Sequence, residues 1–440
     1  MEVQAARHPS GSPSAAYPRW VILEFYCKRK NSSVFTVDGD ATTVAAARTS
    51  TGQPIRAFLL LQAPPATSHV CFQLPEKIQS RYALVVAAHG DSVLILVEAG
   101  DNDDRISDLF VYNAGDAPRP PSLSLLPPCF LTEEEKEMRP MFRSRAGPVH
   151  RFLDLSATGL LRRGEDEIVV AELSVVVSQD TRRQNVAEIV MLRSGEWSTK
   201  RPLVCRHDGE DCDLPSSWKT DSVVAVGDRL LCWVDLWLGL MFCDVFEDSP
   251  RLRYVQLPLD HYFDRKPNRN VCVTAGGSTL KFVNIFPRCC CASKDPIICH
   301  PSLHAYTIRS WTLSMDDMAW VMDGMIDSTE LCATLNGYRN LPLVKLDFPA
   351  VSIDEPHVIC FRMSENYYEL DDNKMWLIKV DMKSKSLQSV SQYPGGAPWL
   401  LLGSTSSVSD HLNSYPISSS IDDASNMQSR VLDQFKASEA

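Results

Sequence analysis

The chain has no run of about 20 uncharged apolar residues of the kind a membrane-spanning helix requires. Its opening, MEVQAARHPSGSPSAAYPRW, lacks the apolar core of a secretory signal. A protein of the cytoplasm or nucleus, with no membrane partner, is expected. Basic residues are in the minority, 44 Lys and Arg against 55 Asp and Glu, for a net charge of -11. That balance opposes general attraction to phosphate backbones, so no nucleic-acid partner is expected. Also missing are a glycine-rich phosphate loop, a dinucleotide fingerprint and a zinc-protease helix motif. No cofactor is expected, and no residue is assigned as catalytic, cofactor-binding or metal-ligating.

What is present suits a large folded body. Apolar residues make up 44% of the chain and charged residues 22%, enough to bury a substantial core. The 14 cysteines fall largely in strand-like phrases such as Leu231-Cys232-Trp233 and Met241-Phe242-Cys243. Reduced, buried thiols acting as small hydrophobes are therefore expected, since a chain of this size needs no disulfide staples.

Strand formers recur in short runs from Trp20-Val21-Ile22-Leu23 onward. One phrase repeats: Ala88-His89-Gly90-Asp91-Ser92-Val93-Leu94-Ile95-Leu96-Val97 is echoed by Ala225-Val226-Gly227-Asp228-Arg229-Leu230-Leu231-Cys232-Trp233-Val234, and more faintly by Gly276-Gly277-Ser278-Thr279-Leu280. Four short strands over Ser222–Val226, Leu230–Val234, Leu240–Val245 and Leu252–Leu257 match the inventory of one propeller blade, in which radial closure protects sheet edges. Gly227 and Gly276 lie 49 positions apart, and the 137 positions from Gly90 to Gly227 read as three intervals of similar size. The fold expected is all-β and propeller-like, with six blades preferred among five to seven. Two packed antiparallel domains are the alternative, because Gly-Asp turns between apolar strands are common. Residues 1–18 read as a flexible lead-in, 19–400 as the propeller and 401–440 as a flexible, Ser-rich tail with a short terminal helix through Met427, Val431, Leu432 and Phe435. Asp116–Arg145 and Phe286–Pro301 read as insertions, the first carrying a solvated acidic run, Glu133-Glu134-Glu135-Lys136-Glu137.

Few residues invite a chemical reading. Cys289-Cys290-Cys291 with Cys299, His300 and His304 offers zinc-type donors, but adjacent cysteines on a strand point in different directions and Pro301 interrupts a shared helical face. These residues are expected to be structural. Asp316-Asp317 and Asp371-Asp372 read as turn carboxylates, because neighbouring positions do not supply the separation that paired acid and base roles demand. His89 has no serine or cysteine nearby in an activating context. Trp233, Trp237 and Trp311 are the candidates for a binding platform. Trp233 reads as blade packing; for Trp237, core packing is preferred over an exposed turn.

Cys232-Trp233-Val234-Asp235-Leu236-Trp237-Leu238-Gly239-Leu240, followed by Cys243-Asp244-Val245, resembles the signature region of a plant family abundant in grasses, domain of unknown function 1618. The Gly227-Asp228 turn, Tyr254-Val255-Gln256-Leu257-Pro258 and Trp20-Val21-Ile22-Leu23 resemble it as well. The core of the resemblance runs over 210–350, with looser similarity over 17–400. It implies a plant protein with a propeller-like fold and supplies no catalytic residues. The expected role is a noncatalytic scaffold whose loops select a protein partner. The alternatives are a hydrolase or carbohydrate-active enzyme with a cleft formed by distant loops, and a small-molecule or glycan-binding module.

Overall fold

In a computed structural model the chain folds into six small sheets arranged as a six-bladed β-propeller. The structure describes residues 18–30, 43–78, 80–100, 106–115, 119–138, 147–164, 167–177, 185–206, 209–215, 217–259, 268–287, 305–335, 346–364, 374–393 and 402–406. Blade I comprises Ser80–His89, Ser92–Ala99, Ile106–Asn113 and Ser122–Leu125; blade II comprises Thr158–Arg163, Glu167–Val177, Asn185–Arg193 and Glu196–Lys200. Blade III contains Ser222–Val226, Leu230–Asp235, Gly239–Asp244 and Leu252–Gln256, with Val204–Arg206 added in parallel on its outer edge. Arg269–Thr274, Thr279–Pro287, Tyr306–Leu313 and Trp320–Asp327 form blade IV, and Leu346–Val351, Val358–Ser364, Met375–Asp381 and Ser386–Tyr393 form blade V. Within blades I to V the four successive strands pair antiparallel, strand a innermost and strand d outermost.

Blade VI joins the two halves of the sequence. Its innermost strand is Leu402–Ser406, paired antiparallel with Val21–Glu24, which pairs in parallel with Thr67–Gln73; Pro54–Leu60 and Ala45–Arg48 complete the path outward. The expected boundary at 400 is therefore corrected: the apolar start of Leu402-Gly403-Ser404-Thr405-Ser406 supplies a strand, and the ladder offered by Val21–Glu24 outweighs its serine content. The terminal-helix positions Met427, Val431, Leu432 and Phe435 lie outside the described residues.

The inner strands touch in a closed circuit, from Ser80–His89 through Thr158–Arg163, Ser222–Val226, Arg269–Thr274, Leu346–Val351 and Leu402–Ser406 back to Ser80–His89. Each interface between neighbouring blades carries its own apolar cluster. Trp233, fully buried, shows why the strands are apolar on both faces: it packs between blades II and III and donates its indole N–H to Ala157 O at 2.8 Å. Burying a side chain of that size is worth roughly 2–3 kcal/mol, and its one polar group is satisfied.

The repeated Gly-containing phrase is the a–b hairpin of blades I, III and IV. Gly90, Gly227 and Gly276 have φ of 59°, 59° and 67°, the left-handed region that these turns require. The hairpins also bind one another: Gly227 N donates to Gly277 O at 2.8 Å, and Gly276 N donates to Ile353 O at 3.0 Å. The 137 positions between Gly90 and Gly227 span two blades rather than three, because the Gly164 hairpin of blade II lies between them and long connections separate all three.

The first insertion does contain a short helix, Glu133–Met138. Thr132 and Glu135 cap it reciprocally, Glu135 N donating to Thr132 Oγ1 at 3.2 Å and Thr132 N to Glu135 Oε2 at 2.8 Å. The expectation of a wholly solvated acidic run is corrected at Glu135 and Lys136, both buried. Glu135 pairs with Arg151, and Lys136 with Glu133 and Gly147 O.

Candidate functional site

The propeller has two faces. One carries the a–b and c–d turns, the other the b–c turns and the connections between blades. On the first face a pocket of about 160 Å³ is lined by His89, Gly90, Asp91, Arg119, Arg162 and Gly164. Its charges are largely committed to the fold. Arg162 Nη1 lies 2.5 Å from Asp91 Oδ1, 3.0 Å from Ser92 Oγ and 3.2 Å from Asn113 Oδ1, bridging blades I and II. His89 Nδ1 accepts the backbone N–H of Arg162 at 3.0 Å, and burial holds its pKa below the ordinary imidazole value. Ser92 Oγ is engaged with Asp91 and Asn113, so the arrangement fits a rivet between blades better than a nucleophile and base.

The second face presents a different surface, at the outer groove between blades III and IV. It begins at the b–c turn of blade III, built by Asp235. One carboxylate oxygen accepts from Trp237 N at 2.8 Å and Leu238 N at 3.1 Å, and the other from Lys219 N at 2.8 Å. The turn lifts Trp237 out of the sheet. Trp237 is half-buried, with the buried guanidinium of Arg269 stacked 4.9 Å from its ring centre. The preferred core placement of Trp237 is thus corrected, whereas Trp233 and Trp311 are buried.

From Arg269 a row of paired residues crosses blade IV. Arg269 lies opposite Asn284, Asn284 opposite Arg309, and Arg309 opposite Met325. In the same sheet Trp311 lies opposite Met322, after a register shift beside Ser310. Residues that share a pairing share a face, and Phe282 and Trp311 on this face pack toward blade III. Arg309 is half-buried, with its guanidinium 5.0 Å from the centre of the Phe286 ring. At the outer edge Met322 and Met325 are 56% and 52% exposed.

That edge is held in place from both sides. Asp323 Oδ2 accepts from Lys281 Nζ at 2.7 Å and Thr312 Oγ1 at 2.5 Å, while Oδ1 accepts from Ser310 Oγ at 2.8 Å. Burial opposes the charge on Asp323, but these bonds prevail and hold its carboxyl below the ordinary range. Trp320 donates its indole N–H to Gln256 O of blade III at 2.9 Å. The result is an eight-residue outer strand with no lysine or proline and with protruding methionines.

Residues 233–360 match the family model DUF1618. Its description is a protein of unknown function. The matched segment contains Trp237, Arg269, Asn284, Phe286, Arg309 and both methionines, whereas the His89 pocket lies outside it. The start of the matched segment is largely structural: Trp233 is core, Asp235 builds the turn, and Gly239 leaves room for Val255 O, which would stand 2.4 Å from an added Cβ. No curated protein is similar to the chain. Among solved structures it is similar to a GDP-Man-dependent mannosyltransferase of Leishmania mexicana, at 10% identity over 86% of this chain and 92% of that one, with a TM-score of 0.23. The WD40 domain of SCAP from fission yeast is similar at 9% identity over 82% and 80%, with a TM-score of 0.28. The six-bladed assignment rests on the sheets themselves.

The other sequence candidates resolve as follows. Asp316 and Asp317 are exposed in the c–d turn of blade IV, as expected of turn carboxylates. Cys289, Cys290, Cys291, Cys299, His300, His304, Asp371 and Asp372 lie outside the described residues. Cys129, Cys205, Cys232, Cys243, Cys272 and Cys360 are buried thiols; burial pushes Cys243 and Cys360 up to about 12, far from thiolate reactivity. Among the described residues, no three His, Cys, Asp or Glu side chains are grouped as metal ligands, and none of the helices is long and apolar enough to cross a membrane. Arg309, Met322 and Met325 escaped the sequence reading. Only strand register places them beside one another, and an isolated Met or Arg carries no local signal.

Proposed function

We propose that the protein is a noncatalytic scaffold that binds a protein partner through the outer groove between blades III and IV. The carrying observation is the exposure of Met322 and Met325 on the same face as half-buried Phe286 and Arg309. Methionine, aromatic and arginine side chains are the residues enriched where proteins bind one another. Trp237 extends the surface onto blade III, and the closed ring supplies the rigidity that limits the entropy lost on binding.

The family resemblance implies a plant protein, so the test is proximity labelling in grass cells, from the cytoplasm or nucleus. The native chain is compared with Trp237→Ala and with Met322→Gln/Met325→Gln. A partner set enriched by the native chain and lost from both variants, with thermal unfolding unchanged, is expected. Equal enrichment by all three proteins would remove the groove as the binding surface.

A further inference from the structure

We propose that the groove reads an acidic residue, Asp or Glu, in the bound segment of its partner, and that Arg309 is the residue that reads it. The inference rests on the groove being the protein-binding surface.

Arginine is costly to withdraw from water without a carboxylate or other acceptors, and several arginines of this chain respect that cost. Arg162 pairs with Asp91 at 2.5 Å, Arg163 with Glu167 at 2.5 Å, Arg193 with Glu167 at 3.4 Å and Arg362 with Asp347 at 2.7 Å. Arg151 is surrounded by Glu135, Glu172 and Glu188. Arg309 departs from the pattern. Among the described residues no carboxylate pairs with it, and its Nε is buried without a hydrogen-bond partner. The chain carries 55 acidic residues against 44 basic ones, so acids are not scarce.

A second group in the row is also unsatisfied. Asn284, 1% exposed and directly opposite Arg309, has a buried Oδ1 with no partner. A polar group left buried and unpaired is costly to the fold. The two lie side by side, one a donor and one an acceptor, beneath a guanidinium that Phe286 holds in place. An acidic residue in a peptide supplies a carboxylate for the outer N–H groups of the half-buried Arg309 guanidinium, while the buried Asn284 lies behind it in the sheet. Arginine suits that task through its planar fork, which grips a carboxylate with two bonds. Arg269 lies two strands away on the same face, roughly 10 Å off by strand spacing, and adds to the positive field. Met322, Met325 and Trp237 then provide the apolar flanks.

The full chain is used to select from a phage-displayed random dodecapeptide library, and the selected peptides are resynthesised with each Asp or Glu replaced by Asn or Gln. The expected result is enrichment of acidic residues, with one position whose neutralisation weakens binding at least tenfold. Arg309→Met weakens the native peptide by a similar factor, and the neutralised peptide no further; Arg309→Lys falls between. If Arg309→Met fails to fold, the peptide substitution and the fall of affinity with added salt decide on the native chain. Peptides that depend on Trp237 but are indifferent to charge and to Arg309 would overturn this inference and leave the scaffold reading standing. No selected peptide at all, together with no partner lost from the groove variants, would overturn both.

Discussion

His69 and His89 are held in the neutral form by burial, His69 down to about 4 with Lys28 and Lys30 adding repulsion, and His89 also below its ordinary value. Above pH 6.5 both are neutral folded or unfolded, and they do not affect stability. As the pH falls below 6.5 the unfolded chain takes up protons that the folded chain refuses, so stability is lost progressively toward pH 4. With the partly solvated His69 discounted for screening, a loss of about 1–2 kcal/mol is expected. Denaturant unfolding at pH 7 and pH 4.5 measures it, and His69→Gln should remove part of the difference. The buried cluster around Arg151 supplies a second test. Burial raises the Glu172 carboxyl even though Arg151 opposes the shift, so the ionised form weakens stability as the pH rises through its folded pKa. At pH 7 Glu172→Gln should cost less than about 1 kcal/mol, because two carboxylates still flank Arg151. Arg151→Met, which removes the cation shared by three buried carboxylates, should cost about 3–5 kcal/mol. Equal costs would contradict this division.

At the level of strands and turns, glycine positions separate into two kinds. An added Cβ at Gly239 would meet Val255 O at 2.4 Å and the Tyr254 ring at 2.8 Å. Gly239→Ala should therefore lose about 2–3 kcal/mol through forced displacement of blade III strands. Gly227 faces open space but has φ of 59°, so Gly227→Ala should lose only about 1–2 kcal/mol of backbone strain. Thermal unfolding of the two variants checks the order. The same contrast explains what could be read in advance. Blade III was legible strand by strand, because Val226-Gly227-Asp228 marks a tight hairpin between apolar runs and Leu252–Gln256 alternates. The outer strand Trp320–Asp327 carries no such mark, since Val321, Met322 and Met325 are apolar yet exposed. Hydrophobicity signals burial by default, and an outer strand with exposed apolar side chains defeats that inference. The groove was legible only at Trp237, where an aromatic side chain sits in a turn made by Asp235.

Over the whole molecule, six blades close because the last described strand is laid beside the first. Val21 pairs with Ser406 and Ile22 with Thr405, a contact between opposite ends of the sequence that no local pattern announces. The repeat spacing revealed radial repetition, but the long connections between blades I, II and III disguised its period. A chain ending at Leu400 loses the inner strand of blade VI and opens the ring, so its thermal unfolding should be far lower or no longer cooperative. The full chain gives the reference transition. Ring closure in turn fixes the groove, since Trp320 of blade IV is bonded to Gln256 of blade III and Trp237 is stacked on Arg269. The most direct test of the binding face is backbone amide exchange of the full chain, alone and with its captured partner. Slowed exchange in Trp320–Asp327 and Leu236–Leu238, with the hairpins at Gly90, Gly164 and Gly227 unchanged, is predicted; protection confined to those hairpins would contradict it.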